Sequence, residues 1–294
     1  MSLSKIPASI ELSPKQIFDC ENLEELMPAF THVYIPDLGV ETADSMVDAS
    51  KRLTEAGYQP VPHFAARRIT TKAVLELRIK RLTEEADIKD VLIIGGGLPV
   101  PNGDFVSSLA LLETGLFDKY GIRNIGVAGH PEGSPDFNDD TALEILQLKQ
   151  NLANRSDANF RIVTQFGFDA VRFINWAKHI KAMGIDLPVH MGVAGPAKIT
   201  TLIKFAAMCG IGNSMEFLKK RSSAIMTLAS GFNPEDIVAP IEQHWLSDQN
   251  SLSSIEQIHV FPFGGIKKSS AWLKERGTWD AESVQCDKHM VAAC

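Results

Sequence analysis

Short apolar, β-prone runs return roughly every 30 residues along this chain, and that regular return limits its folding more than any other feature. The runs are Ser9–Leu12, His32–Asp37, Pro60–Phe64, Asp90–Ile94, Asn124–Gly129, Arg161–Phe166, Pro188–Ala194 and Ile258–Phe263. Helical spacing fills the gaps, over Thr42–Ala56, Thr71–Ala86, Phe105–Leu116, Thr141–Leu152, Ala170–Met183 and Ile199–Cys209. In Ala170–Met183 the apolar Val171, Ile174, Ala177 and Ile180 share a face opposite Arg172, Asn175 and Lys178, as a helix laid on a sheet requires. Gly57, Gly121 and Gly184 each follow a helical segment where a left-handed cap is needed. Eight such units with short connections predict an α/β fold, a (β/α)8 TIM barrel, over an open doubly wound sheet. The rhythm breaks once. Between the seventh and eighth strands about 60 residues hold two extra helical stretches, Ser214–Ala229 and Pro234–Leu246. With no linker or repeat, residues 1–294 are expected to form a single domain, ending in a closing helix and polar tail over about 268–294.

Charge and cysteine content narrow the functional classes. With 29 Lys and Arg against 36 Asp and Glu, the net charge of −7 repels phosphate backbones and excludes nucleic acid as the expected partner. Cys20, Cys209, Cys286 and Cys294 form no C-x-x-C pair, which suits a reducing compartment. The amino terminus lacks a signal-peptide layout and no apolar run would span a bilayer, so the expectation is a cytoplasmic protein without a membrane partner.

In a barrel, chemistry sits where strands run into their following loops. Glu11, in SIELSP, lies between apolar neighbours, where a carboxylate is costly unless paired or used. Burial there is expected to keep it protonated and able to act as a general acid. His63 ends the third strand and His130 the fifth; either serves a ligand or simply satisfies a backbone carbonyl. With His190 they would make a three-histidine metal site, but no H-x-H pair or carboxylate cluster accompanies them, so no metal is expected. Gly95, Gly96 and Gly97 let a flat ligand approach the backbone after the fourth strand, without matching a dinucleotide or Walker pattern. Gln165 is an amide inside an apolar strand, able to read a heterocycle edge or to bond its neighbours. Lys198, at a helix start, and Arg67 with Arg68 could hold an anionic tail. Phe205 reads as core unless its helix lines the mouth.

These motifs, in this order, resemble the methylenetetrahydrofolate reductase family over about residues 8–267. The carriers are SIELSP, PHF, GGGLP, VAGHPEGSPDF, LK followed by IVTQFGFD, and GIDLPVHMGVAGPAKITTLIKFA. The resemblance implies a (β/α)8 barrel that reduces 5,10-methylenetetrahydrofolate to 5-methyltetrahydrofolate, with NAD(P)H as donor and FAD as hydride relay. It implies Glu11 as the active-site glutamate that helps open the five-membered ring, Gln165 as a ligand of pterin or nicotinamide, Phe205 as the aromatic against folate or NADH, and His63 as a flavin contact. By position Gly97 and Lys198 join the substrate side, and Gly95, Gly96, His130 and Arg67 the cofactor side. A homo-oligomer is compatible with the family, although no sequence patch demands one.

Departures from the family pattern are concentrated around the flavin. Arg-Gly-Asp before Leu-Pro is here Gly95-Gly96-Gly97; His130 stands for a tyrosine, Ser134 for a histidine, Asn151 for a lysine, and Gly265 for an arginine that holds the folate's glutamate. Lys267 and Lys268 are the nearby substitutes for that last arginine. Losing the arginine and lysine removes two charge-assisted contacts to a diphosphate, roughly 3 to 6 kcal/mol or about 10² to 10⁴ in affinity. Arg67, Arg68 and Lys149 are the cations that could restore charge from another side. The expectation is therefore a reductase using NAD(P)H, NADH favoured, whose hydride passes either through a bound FAD or, where the flavin site is vestigial, directly from NADH. The rival expectation is a folate-binding or methyltransferase-partner protein that has lost redox activity.

Overall fold

The computed structural model describes residues 4–39, 42–209 and 231–279. Eight parallel strands close into a barrel in chain order: β1 (Ala8–Glu11), β2 (His32–Ile35), β3 (Gln59–Ala65), β4 (Asp90–Ile94), β5 (Asn124–Gly129), β6 (Asn159–Gly167), β7 (Val189–Ala194) and β8 (Ile255–Phe261). β1 pairs with both β2 and β8, so the sheet has no edge. All eight strands stand where the apolar runs place them, within a few residues at their ends.

Local chemistry explains the helices between them. Thr42 and Thr71 cap Ala43–Glu55 and Lys72–Ala86 by accepting from Ser45 N and Val74 N. Asn138 and Asp169 do the same for Asp139–Ala153 and Ala170–Ala182. Gly57, Gly121 and Gly184 take φ of 81°, 73° and 83°, the left-handed turns expected after three helical segments. One expectation needs correction: Phe105–Leu116 is not one helix. Gly115, at φ 68°, separates Ser108–Leu112 from Leu116–Lys119. Two short helices went unread, Pro14–Asp19 and Leu23–Leu26; the first carries a capping box between Ser13 and Gln16.

Between β7 and β8, Glu235–Trp245 occupies the second of the two extra helical stretches, while Ser214–Ala229 lies outside the described residues. The closing helix runs over Ile266–Glu275; the tail beyond residue 279, with Cys286 and Cys294, lies outside them too. Arg276 binds Glu235 at 2.9 Å and Glu242 at 3.0 Å, and Glu242 accepts from Ile6 N at 2.9 Å, which ties the end of the closing helix to the entry of β1. No helix of the described residues is long and apolar enough to cross a membrane.

Most of the apolar core lies between strands and helices, but the barrel's inside is filled differently. Tyr34, Val61, Leu92 and Val163 form a small apolar girdle within it, against Ile94. Polar side chains sit on both sides of that girdle.

Candidate active site

Glu11 is the last residue of β1, so its side chain emerges at the carboxyl-end mouth with 20% of it exposed. Two imidazoles, and not the apolar surroundings expected, face its Oε2: His63 Nε2 at 3.6 Å from β3 and His259 Nε2 at 3.8 Å from β8. Neither Nε2 has a hydrogen-bond partner. Burial, above all, pushes the pKa of His63 down to about 4, with His259 and Arg78 adding to the effect against Glu11 and Asp37. His63 is therefore neutral at pH 7 and does not lock Glu11 into an ion pair.

Gln165 reaches the same mouth because β6 is irregular: the pairing with β7 shifts register between Val163 and Phe166. Gly192 of β7 makes this bulge feasible, since a Cβ there would collide with the carbonyls of Thr164 and Gln165. The Gln165 amide donates through Nε2 to Gly133 O at 3.1 Å, which fixes its orientation, because a carbonyl can only accept. Its Oε1 is left buried and without a partner. An acceptor held in this way suits an N–H on a ligand's edge.

An aromatic wall runs from β8 to the helix Ile199–Met208. Phe205 stacks on Phe263 with centroids 4.3 Å apart; Phe263 lies parallel to Phe261 at 5.8 Å, and Phe166 meets both. Phe205 thus belongs to a half-buried wall, as both core and lining. Phe261 also touches the ring of His259 at 4.8 Å, which joins the wall to the Glu11 cluster.

The glycine triplet leaves space. A Cβ at Gly95 or Gly97 would meet nothing within 4 Å, and only Gly96, at φ 85°, is close to Ala65. The cations expected near a cofactor are largely occupied. Arg67 donates to Val106 O at 3.0 Å and Leu98 O at 2.9 Å, pinning the loop after β4. Arg68 lies across Gly39, where a Cβ would collide with its guanidinium. Lys149 is buried, and burial pushes its pKa down to about 8. Lys198 is exposed at the start of Ile199–Met208, and Lys267 and Lys268 are exposed in the first turn of the closing helix.

His130 stands apart from Glu11. Its ring meets Phe137 edge-on at 5.0 Å, and its pKa falls to about 4 through burial first and Lys149 second. His190 lies deeper, with Nδ1 unpartnered and its pKa held well below 6.5 by burial and then by Arg161. Among the described residues no group of three or more His, Cys, Asp or Glu side chains is placed to hold a metal.

Sequence reading missed Ser9, Tyr34, His259, Phe261 and Phe263. Ser9 and His259 lie directly opposite in the β1–β8 pairing, with Oγ 3.0 Å from Nδ1. The signal for His259 was the one that singled out Glu11: a polar residue inside an apolar strand, here in Ile-His-Val-Phe.

Fold and site together define a (β/α)8 barrel with His63 Nε2, His259 Nε2 and Gln165 Oε1 unpaired at the strands' carboxyl ends, where barrel enzymes keep their chemistry. Residues 12–224 match the family Methylenetetrahydrofolate reductase, and the chain belongs to that family. It is 28% identical to 5,10-methylenetetrahydrofolate reductase of Pectobacterium carotovorum over 224 residues, covering 70% of each chain. For the Salmonella typhimurium protein of the same name the identity is 27% over 208 residues, covering 70% of this chain and 67% of that one. An 89-residue stretch is 39% identical to methylenetetrahydrofolate reductase 2 of Saccharomyces cerevisiae; it covers 30% of this chain and only 14% of the yeast protein's length. Dihydropteroate synthase from Thermus thermophilus superposes over 96% of both chains at a TM-score of 0.46 and 13% identity, too loosely to bear on function.

Proposed function

We propose that this protein reduces 5,10-methylenetetrahydrofolate to 5-methyltetrahydrofolate, with NAD(P)H as hydride donor and Glu11 as proton donor. The carrying observation is the carboxyl of Glu11 at the barrel mouth, faced by a neutral His63, in a family whose relatives bear that activity in their names. Glu11 gives its proton to a nitrogen of the folate's five-membered ring; the carbon–nitrogen bond breaks and leaves a methylene iminium. Hydride from the nicotinamide then completes the methyl group, and the oxidised nicotinamide leaves. Gln165 Oε1 accepts from the pterin or carboxamide edge, and the Phe205–Phe263 wall covers a ring face. The glycine triplet offers space beside them, Lys198 with Lys267 and Lys268 serves the acidic tail, and His130 lines the cofactor side.

The family's flavin fits poorly. Its diphosphate would need cations, yet Arg67 is spent on two carbonyls, Arg68 lies over Gly39, Lys149 is buried and the triplet has no side chains. The hydride therefore passes directly from nicotinamide to folate, which needs the reacting atoms about 3 to 3.5 Å apart. A visible spectrum and a single-turnover reaction of the purified protein with NADH and methylene-folate test this reading. Methyl-folate formed in step with NADH loss is expected. Folate binding without turnover would favour the rival reading of a folate-binding or methyltransferase-partner protein, and a visible flavin band would overturn direct transfer.

A further inference from the structure

Ser9, His259 and Glu11 form a line across the seam where β1 and β8 close the barrel. Ser9 Oγ lies 3.0 Å from His259 Nδ1, and both residues are fully buried. The other nitrogen, Nε2, has no hydrogen-bond partner and stands 3.8 Å from Glu11 Oε2. Tyr34 and Phe261 hold the imidazole in place, with ring centroids at 4.3 and 4.8 Å.

The Ser9 hydroxyl decides which nitrogen of that ring carries hydrogen. His259 is its one hydrogen-bond partner among the described residues. If Nδ1 donated to Oγ, the serine's own hydrogen would be buried without an acceptor, which costs about 1 to 3 kcal/mol, or roughly 5- to 150-fold in population. If Ser9 donates to Nδ1, every hydrogen in the line has a direction, because Nε2 then carries the remaining one and points it at Glu11.

We infer that Ser9 fixes His259 as its Nε2–H tautomer and that His259 is a positioning residue for Glu11, donating to Oε2 and supporting the carboxylate left once the glutamate has delivered its proton. The inference rests on the proposed role of Glu11. His259 transfers nothing itself: the proton goes from Glu11 to the folate nitrogen, and the N–H···O contact shortens as negative charge develops on Oε2. Contacts of this kind are commonly long before substrate arrives.

The test has two independent arms. Protein with ¹⁵N-labelled histidine, compared with a His259→Gln variant for assignment, is expected to give the Nε2–H pattern for His259, and Ser9→Ala is expected to shift it toward a mixture. An Nδ1–H pattern in the unaltered protein would overturn the inference. In single-turnover kinetics, His259→Leu is expected to slow the step by about 10- to 100-fold with folate affinity unchanged. His259→Gln, whose amide places an N–H near the former Nε2, should recover most of that loss, and Ser9→Ala should lose a smaller part. In a Glu11→Gln background His259→Leu should add nothing further. Equal damage from Leu and Gln, or losses that multiply with Glu11→Gln, would reduce His259 to core. Full activity in Glu11→Gln alone would instead overturn the role of Glu11, and with it the positioning half of the inference; the tautomer measurement needs no turnover and judges the Ser9–His259 half separately.

Discussion

The inside of the barrel holds two polar layers on either side of the Tyr34–Val61–Leu92–Val163 girdle, and they treat their hydrogen bonds differently. In the layer toward the strands' amino ends, Arg161 donates to Asp90 at 2.8 Å and to the Tyr34 hydroxyl at 2.9 Å, and His32 faces Asp90 at 3.8 Å. Burial foremost raises the pKa of Tyr34 to about 12, so its hydroxyl stays intact as an acceptor for Arg161. Toward the carboxyl ends, His63 Nε2, His259 Nε2 and Gln165 Oε1 are equally buried and lack partners. Folded proteins leave few buried polar atoms unpaired, because each costs about 1 to 3 kcal/mol. One layer pairs its charges internally and plugs the barrel; the other keeps these three atoms unpaired, as the proposed ligand site requires. His190 lies between the two, with Nδ1 unpaired and Arg161 near enough to depress its pKa.

Substitution of one carboxylate in each layer should separate their roles. Glu11→Gln is expected to cut turnover by about 10² to 10⁴, the usual worth of a general acid, while folate binding and the unfolding midpoint stay near those of the parent. Asp90→Ala leaves Arg161 buried without its counter-ion and is expected to cost on the order of 3 to 5 kcal/mol in denaturant unfolding, with activity per folded molecule unchanged. If Asp90→Ala slowed the folded enzyme as severely as Glu11→Gln, the two layers would have to be read as one.

The barrel was legible because its cause is periodic: strands buried on both faces are apolar runs, and caps such as Thr42, Thr71, Gly57 and Gly184 obey local rules. Glu11 and Gln165 were legible because a polar residue in an apolar strand is expensive. His259 carries the same mark, but its importance depends on Ser9 and Glu11, 250 and 248 residues away in sequence, and only strand pairing brings them together. The difference between Arg67 as an anion ligand and Arg67 as a loop clamp lies in the carbonyls of Leu98 and Val106, whose directions no residue type encodes. The Gly192-dependent bulge that turns Gln165 toward the mouth is likewise a matter of register.

Acid should discriminate between the layers by a smaller amount. The folded pKa of His63 and of His130 is about 4, and that of His190 lies well below 6.5, so the unfolded chain takes up these protons first. The contribution of these histidines to stability is then constant above about pH 6.5 and falls as pH drops toward 4, by up to about 3 kcal/mol for His63 alone. His63→Phe should flatten that slope in urea unfolding measured across the window. An unchanged slope would place the acid sensitivity elsewhere and weaken the claim that His63 is held neutral beside Glu11.

Lys149 extends the comparison to the outside of the barrel. It is 2% exposed on the helix Asp139–Ala153, has no ion-pair partner among the described residues, and keeps a folded pKa of about 8. The unfolded lysine holds its proton up to about pH 10.5, so the ammonium's burial costs stability at pH 7, and that cost fades as pH rises from 8 to 10.5. Lys149→Met is therefore expected to stabilise the protein by about 1 to 3 kcal/mol at pH 7 and by clearly less at pH 10, as read by thermal unfolding at both values. Destabilisation at pH 7 would mean that the ammonium has a counter-charge in the folded protein. A stabilised variant whose KM for NADH also rises would place Lys149 with the open layer, as a charge kept at a loss for an anion that arrives with the substrate.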